Sequence, residues 1–252
     1  MPIVERLTFI GSQGASLQGR LHVPEGKARG SILMAHCFTC SKDIHTMTRL
    51  AHGFAEGGYA ALRFDFTGLG DSGGDFADTS VSANVADLTR ATLTLIQRGY
   101  GPCGLVGHSL GGSAALLAAQ RLKTVRSVVT IGAPSDPDHV RNLFSDNEQE
   151  IRSHGRAEVN IGGRSFCLAE GFLNDLEEHD VLDAAQNLNR PLLVVHARDD
   201  TIVEYAHGQK IYDAAKDPKR LVTLENADHL VTGRDDAEIL LTAILDWFDE
   251  TL

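Results

Sequence analysis

The stretch GLVGHSLGG at residues 104–112 decides the fold of this chain. An apolar strand is predicted at 104–107 and a helix of small residues at 110–122, and residues 107–111 between them match the pattern G-x-S-x-G. A serine on so sharp a turn has a strained backbone, and side chains two residues to either side would collide with the neighbouring elements. The turn also points the hydroxyl to the helix N-terminus, where unpaired N–H groups favour negative charge. The pattern predicts a nucleophile at Ser109, the alternative being a glycine-rich turn without chemistry.

Apolar runs on both sides of this stretch alternate between strand length and helix length. Residues 3–10 and 16–23 predict an antiparallel opening pair. Further strands are predicted at 31–35, 59–64, 127–131, 192–196 and 220–224, and helices at 43–57, 81–98, 205–215 and 234–249. In the last helix, the side chains predicted to face a core are Ile239, Ile244, Leu245, Trp247 and Phe248. Strands that alternate with helices form right-handed parallel units, which predicts an α/β fold in one domain, 1–252.

One connection, from about 135 to 190, is far longer than a link between neighbouring elements needs to be. Within it, AEVNIGGRSFCL alternates around Gly162 and Gly163, which predicts a hairpin, and residues 169–178 predict a short helix. We therefore expect a small cap inserted into the domain.

A serine hydroxyl needs a positioned base and an acid that orients that base. His229 follows the last predicted strand, and Asp199 and Asp200 follow the strand at 192–196, so all three are expected at one edge of the sheet. Asp200 is preferred to Asp199 because Val203, three residues later, can anchor the returning loop. The order Ser, Asp, His along the chain fits this assignment. Two further candidate acids follow the strand at 127–131: Asp136 and Asp138.

Acyl transfer also needs donors directed at the developing oxyanion, each worth roughly 3 kcal/mol of barrier. One is expected to be the N–H of Leu110, the residue after the nucleophile. The other is expected from the loop after the strand at 31–35, where we favour the N–H of Phe38, with Cys37 and Thr39 as alternatives.

The pair Cys37 and Cys40 forms a C-x-x-C motif between a strand and a predicted helix, where a redox pair could also stand. The alternative function is therefore a non-catalytic or redox-partner protein that uses these cysteines. The sequence has neither H-E-x-x-H nor paired C-x-x-C motifs, and the G-x-G-x-x-G of residues 68–73 leads into loop-like residues rather than a helix. No metal and no cofactor are predicted.

The composition limits the kinds of partner that this protein is expected to bind and the compartment in which it is expected to lie. With 23 basic and 34 acidic residues the net charge is −11, which argues against nucleic acid. No apolar run is long enough to span a membrane. The opening MPIVERLTFIGSQG lacks the features of a signal peptide, and four cysteines do not make a disulfide scaffold. We expect a reducing compartment and a cytoplasmic location.

Several motifs resemble those of the α/β-hydrolase superfamily: GHSLGG at 107–112, DFTGLGDS at 65–72 and DH at 228–229. More closely, HCFTCSKD at 36–43, RFDFTGLGDS at 63–72, IGAP at 131–134 and ADHL at 227–230 are similar to the hydrolase module often fused to an OsmC-like peroxide-reducing domain. The given sequence ends at Leu252 without an OsmC-like segment, and we expect any OsmC-like partner to be a separate protein. It also has Cys37 where the family's oxyanion loop usually has glycine.

The resemblance implies an α/β-hydrolase fold with a mostly parallel eight-stranded sheet flanked by helices, Ser109, Asp200 and His229 as the triad, and N–H donors at Phe38 and Leu110. The expected function is that of a serine hydrolase of small-molecule carboxylic esters, with thioesterase and peptidase as alternatives on the same triad. Small acyl groups are expected because the cap is short and has few aromatic wall residues. The candidates for the pocket wall are Phe38, Phe144, Phe166 and Phe172.

Overall fold

In the computed structural model, which describes residues 2–101 and 103–252, ten strands are formed. They are β1 (Ile3–Ile10), β2 (Ser16–Val23), β3 (Ser31–Ala35), β4 (Ala60–Phe64), β5 (Cys103–His108), β6 (Val125–Ile131), β7 (Arg156–Ile161), β8 (Arg164–Ala169), β9 (Leu192–Ala197) and β10 (Lys219–Leu224). Eight of them form one sheet in the order β1-β2-β4-β3-β5-β6-β9-β10. Pairing is antiparallel from β1 to β2 and from β2 to β4, and parallel across the rest. The predicted fold and opening pair are confirmed.

Eight helices accompany these strands within the same described residues. They are α1 (His45–Glu56), α2 (Val81–Gln97), α3 (Leu110–Arg121), α4 (Glu148–His154), α5 (Glu170–Glu177), α6 (Val181–Gln186), α7 (Tyr205–Ala214) and α8 (Arg234–Thr251). None of the helices in this part of the chain has the length and apolar character needed to cross a bilayer.

The central strands are buried on both faces because helices cover each side of the sheet. Successive residues of β3 alternate between two apolar cores: Leu33 joins the core that contains α2 and α3, whereas Ile32 and Met34 join the core that contains α1 and α8. A parallel sheet covered on both faces reads as continuous apolar runs, which is why its strands were visible in the sequence.

In the last helix, α8, one predicted core residue is exposed. Ile244, Trp247 and Phe248 are buried as predicted, but Ile239 is 54% exposed. The helical repeat of about 3.6 residues places the buried stripe on Leu240 instead, so Ile239 lies outside that stripe.

The long connection at 135–190 contains the predicted hairpin, formed by β7 and β8 with Ile161 opposite Arg164. The predicted helix is α5, whereas α4, α6 and a 3₁₀ helix at Pro137–Leu143 were not predicted. Because α6 packs against α3 and α7, the end of this connection adjoins the helical layer of the sheet. The limits of a separate cap stay a prediction.

Buried His22 on β2 leads to an expected pH dependence of stability. Burial, with the nearby Arg63 guanidinium, lowers the pKa of His22 to about 4, whereas an unfolded histidine titrates near 6.5. Below about pH 6.5 the unfolded chain therefore binds a proton that the folded chain does not. The free energy of unfolding accordingly decreases as the pH is lowered. Between pH 7 and pH 5 we expect His22 to account for a loss of about 2 kcal/mol in the free energy of unfolding.

Urea unfolding of the wild type and of His22→Gln at both pH values measures this loss as the difference between their pH dependences. Equal pH dependence in the two proteins would contradict the assignment.

Candidate active site

Ser109 lies at the turn between β5 and α3 with a left-handed backbone, φ 55° and ψ −129°. For a residue other than glycine this conformation is strained and persists only where its surroundings enforce it. The flanking glycines are required by space: a Cβ on Gly107 would lie 2.3 Å from the Gly111 carbonyl oxygen, and one on Gly111 would lie 2.4 Å from the His36 carbonyl oxygen. The close approach of three chain segments thus forces the turn that presents the Ser109 hydroxyl.

His229 and Asp200 are brought together from the loops after β10 and β9. His229 Nδ1 donates a hydrogen bond to Asp200 Oδ2 at 2.7 Å. Asp200 Oδ1 accepts from the N–H groups of Ile202 and Val203, both at 2.9 Å. Asp199 is exposed, so the structure brings Asp200 rather than its neighbour to the imidazole.

These hydrogen bonds stabilise the ionised form of Asp200. Burial by itself would raise the pKa of Asp200, but hydrogen bonds from His229 and the Val203 N–H outweigh it, and the pKa lies below its ordinary value. The carboxylate therefore stays ionised and fixes the proton of His229 on Nδ1, which leaves Nε2 as the basic nitrogen.

The other two candidate acids lie apart from His229. Asp136 accepts from the Asp138 N–H at the start of the 3₁₀ helix, and Asp138 pairs with Arg141 at 2.6 Å. Asp228 accepts hydrogen bonds from the N–H and the hydroxyl of Thr232. Its carboxylate therefore caps the loop to which Asp228 belongs.

A cavity of about 360 Å³ contains both Ser109 and His229 in its wall. In the described part of the chain, no hydrogen bond joins the Ser109 and His229 side chains. Such catalytic hydrogen bonds are commonly long in unliganded sites and tighten when substrate binds. The rest of the wall is mainly apolar, and its aliphatic members are Leu110, Val140, Leu143, Ile161, Ile202, Val203 and Leu230. Three of these are part-exposed at the mouth: Leu143, Ile202 and Leu230.

Unpaired N–H groups border the same cavity from the N-terminus of α3 and from the loop after β3. Leu110 is the first residue of α3, and Phe38 lies in the loop after β3; neither N–H has an acceptor among the described residues. The same holds for the N–H groups of Cys37 and Thr39, so the three loop positions remain alternatives. A helix N-terminus and an adjoining loop with free donors can stabilise an oxyanion.

Of the four phenylalanines predicted for the pocket wall, Phe38 lies on it and the other three do not. Phe172 stacks on Phe38 with ring centroids 5.1 Å apart, Phe144 packs against both, and Phe166 packs on Phe76. Phe144 and Phe172 are 3% and 1% exposed, so they form a buried layer behind Phe38. Clustering of aromatic rings removes them from water more completely than a cavity wall would, and most of the apolar wall beside Phe38 is aliphatic.

The role of His108 was not predicted from the sequence. Its Nε2 donates to the His229 carbonyl oxygen at 2.7 Å, which ties the turn that carries Ser109 to the loop that carries His229. Burial lowers the pKa of His108 to about 3, so the ring is neutral and adds no charge beside His229. Its position next to the serine was the available signal.

Gly132, at the end of β6, was a second missed feature. Its φ is +54°, and a Cβ there would lie 3.3 Å from His229 Nδ1 and 3.4 Å from Asp200 Oδ2. The backbone conformation therefore favours glycine here, and a larger residue would also crowd this hydrogen-bonded pair.

The loop after β3 is anchored by buried Lys42, which the sequence analysis also missed. Lys42 Nζ pairs with Asp65 and Asp71, each at 2.7 Å, and the Lys42 N–H donates to Asp65 at 2.6 Å. His36 Nδ1 donates to the Cys37 carbonyl, and its Nε2 accepts from the Phe66 N–H. The loop is thereby tied at both ends to the turn after β4.

Cys37 and Cys40 form a disulfide within this loop, with Cα atoms 5.2 Å apart. Both residues line the cavity beside Ser109. The expectation of a reducing compartment did not anticipate this pairing, which follows from a turn that brings the two residues together, with the Cys40 N–H bonded to the Cys37 carbonyl.

Known proteins resemble this chain along most of its length. An esterase domain from Rhodothermus marinus has 35% identity and a TM-score of 0.80, with 99% of each chain covered. Palmitoyl-protein thioesterase ABHD10 of Mus musculus is 27% identical over 201 residues, 77% of this chain and 66% of that protein. Lysophosphatidylserine lipase ABHD12 of Danio rerio is 30% identical over 168 residues, 65% of this chain.

The chain spans only 41% of the Danio rerio lipase and just under two thirds of the mouse thioesterase. The family model described as "Alpha/beta hydrolase family" matches residues 32–240, which include the Ser109 turn, the Asp200 loop and His229. The eight-stranded sheet, its topology and this match together show that the chain belongs to the alpha/beta hydrolase family.

Proposed function

We propose that this protein is a serine hydrolase that cleaves carboxylic esters through an acyl-enzyme intermediate. The observation that supports this most directly is a strained serine in the wall of the same cavity as a histidine that is hydrogen-bonded to a buried carboxylate. Esterase and thioesterase relatives are consistent with the proposal.

In the proposed reaction, Ser109 Oγ attacks the ester carbonyl while His229 Nε2 takes its proton. The negative oxygen is stabilised by the N–H groups of Leu110 and Phe38. His229 then protonates the leaving alcohol, and the acyl group remains on Ser109. A water molecule, deprotonated by His229, releases the acid and restores the serine. Asp200 stabilises the imidazolium formed in both steps.

A fluorophosphonate probe tests the nucleophile. We expect a stoichiometric adduct on Ser109, located by mass spectrometry, and no adduct in Ser109→Ala. The matched control is Ser113→Ala, which removes the next serine on α3. Its hydroxyl is fully buried and donates to the Pro134 carbonyl, and Ser113 is not part of the cavity wall. An unlabelled wild type with reactive Cys37 or Cys40 would instead favour the redox-partner alternative.

The cavity supports acyl groups of small to medium size. Its volume of about 360 Å³ is near the lower end of the range for ligand pockets, ~300–1,000 Å³, and its aliphatic wall suits a hydrocarbon chain. This is consistent with the expectation from a short cap, although the wall is mainly aliphatic, with Phe38 as its one phenylalanine.

A series of p-nitrophenyl esters of increasing chain length measures this preference. Because each buried methylene contributes about 0.8 kcal/mol, we expect kcat/KM to rise by up to about fourfold per methylene until the cavity is filled. Beyond that length it should level off or fall. A continued rise to hexadecanoyl esters would contradict an acyl group enclosed by this cavity.

Thioesters and peptides could be cleaved by the same groups. A thioester and an anilide with the preferred acyl group, assayed beside the ester, decide among the three. We expect the ester to have the highest kcat/KM, and a preference for the thioester would assign the protein to the thioesterases.

A further inference from the structure

The disulfide between Cys37 and Cys40 encloses the segment that contributes the proposed oxyanion donor. Phe38 and Thr39 are the two residues between the bonded cysteines, and all four residues line the cavity. The disulfide therefore lies within the catalytic cavity, and a change in it alters the backbone at Phe38 first.

Thr39 has a backbone conformation that is unfavourable for a β-branched residue. Its φ is +59°, in the left-handed region that β-branched residues rarely adopt. Such a residue persists only where its surroundings over-determine it. Here the disulfide closes the ring around it, and Arg164, from the hairpin strand β8, donates to the Thr39 carbonyl.

The ends of the loop do not depend on the disulfide. His36 holds the Cys37 carbonyl on one side, and the buried pair of Lys42 and Asp65 holds the other. A disulfide that closes so short a loop contributes less to global stability than one that closes a long loop. Opening it should therefore free the segment between the two cysteines while the fold remains intact.

We propose that the Cys37–Cys40 disulfide is a reversible modification site for small thiols, and that its reduction lowers the hydrolase activity by releasing the Phe38 N–H from its position. This inference rests on the proposed function of the site. The reactants are a low-molecular-weight dithiol for opening and a low-molecular-weight disulfide for closure.

The exchange begins at Cys40, which is part-exposed, whereas Cys37 is 5% exposed. A thiolate of the dithiol attacks Cys40 Sγ, forms a mixed disulfide and displaces Cys37 as a thiolate. The second thiol of the reagent, as its thiolate, then displaces the Cys40 thiolate. The products are two protein thiols, after protonation, and the oxidised, cyclic reagent. Closure follows the reverse route with a small disulfide as the oxidant, which is reduced to two thiols.

The expected effect is on kcat rather than KM, because an oxyanion donor acts mainly in the transition state. Removal of one such donor costs about 10²–10³ in kcat. The hydrogen bond from Arg164 to Thr39 and the stacking of Phe172 on Phe38 do not involve the disulfide, so we expect a smaller decrease of about 10- to 100-fold.

The experiment titrates the intact protein with dithiothreitol and follows kcat, KM and alkylation of each cysteine by mass spectrometry. We expect kcat to fall in step with alkylation of Cys37 and Cys40 and to recover after oxidation with glutathione disulfide. Unchanged or increased activity with both cysteines alkylated would overturn the proposal. So would failure of the two cysteines to form a disulfide under glutathione disulfide.

Two double variants separate this effect from other thiols. Cys37→Ser/Cys40→Ser should have the low kcat of the reduced protein and no response to the dithiol. Cys103→Ser/Cys167→Ser, which removes the two free cysteines, should respond as the wild type does. If the first variant fails to fold, reversible titration of the wild type still decides. Fluorophosphonate labelling of Ser109 in the oxidised protein separates the two proposals, because absence of labelling would contradict the hydrolase function itself.

Discussion

Asp200→Asn is expected to lower kcat by about 10⁴-fold, the effect that loss of the triad carboxylate has when the geometry is kept. Asp200 Oδ2 accepts the Nδ1 proton of His229 at 2.7 Å, and its other oxygen is occupied by two backbone N–H groups. An asparagine in this place turns its NH₂ group toward His229, which favours a proton on Nε2 instead. The base is then protonated at the nitrogen that must accept the proton of Ser109.

The matched control is Asp199→Asn, which changes the neighbouring, exposed carboxylate in the same way. We expect it to keep kcat within about twofold, since surface changes away from the site have small effects. Steady-state kinetics of both variants on one p-nitrophenyl ester makes the comparison. If Asp199→Asn were the inactive variant and Asp200→Asn the active one, the assignment of the acid would be wrong.

Lys42→Met is expected to lower the free energy of unfolding by about 3–5 kcal/mol, because it leaves a buried charge without its partner. The Lys42 side chain is 1% exposed and that of Asp65 is 0% exposed, so water cannot replace the missing ammonium group. A loss of this size is a large part of the ~5–15 kcal/mol that stabilises a typical domain.

Urea unfolding of Lys42→Met, Asp65→Asn and the double variant measures the coupling between the two residues. We expect the double variant to be more stable than Lys42→Met, because it removes the unpaired charge as well. A loss below about 1 kcal/mol in Lys42→Met would show that the pair is solvated and does not anchor the loop.

The elements of the main sheet could be predicted because their signals are local. A strand covered on both faces is a continuous apolar run, and β3, β5 and β9 are each visible in this way. The glycines on both sides of Ser109 likewise form a pattern within five residues of sequence, although the His36 carbonyl that requires Gly111 comes from a distant segment. Elements such as α4 and α6 have short, mixed patterns, and no local signal separated them from loops.

The site could be predicted only in part. Chain order and strand ends pointed to His229 and to a carboxylate after β9, because parallel strands bring these loops to one edge. The choice of Asp200 over Asp199 followed from the expected return of the loop at Val203, whose N–H in the structure donates to Asp200. The contact of His108 with the His229 carbonyl spans more than a hundred residues and left no pattern in the sequence.

The sequence by itself determined the alternation of strands and helices, the sharp turn at Ser109 and the order of the candidate residues along the chain. Each of these leaves a pattern among residues close in sequence. Only the tertiary structure decided that Phe144 and Phe172 pack behind Phe38, that Lys42 pairs with Asp65, and that aliphatic side chains line the cavity. Such choices depend on which distant segments compete for the same buried space, and residue type alone does not encode that competition.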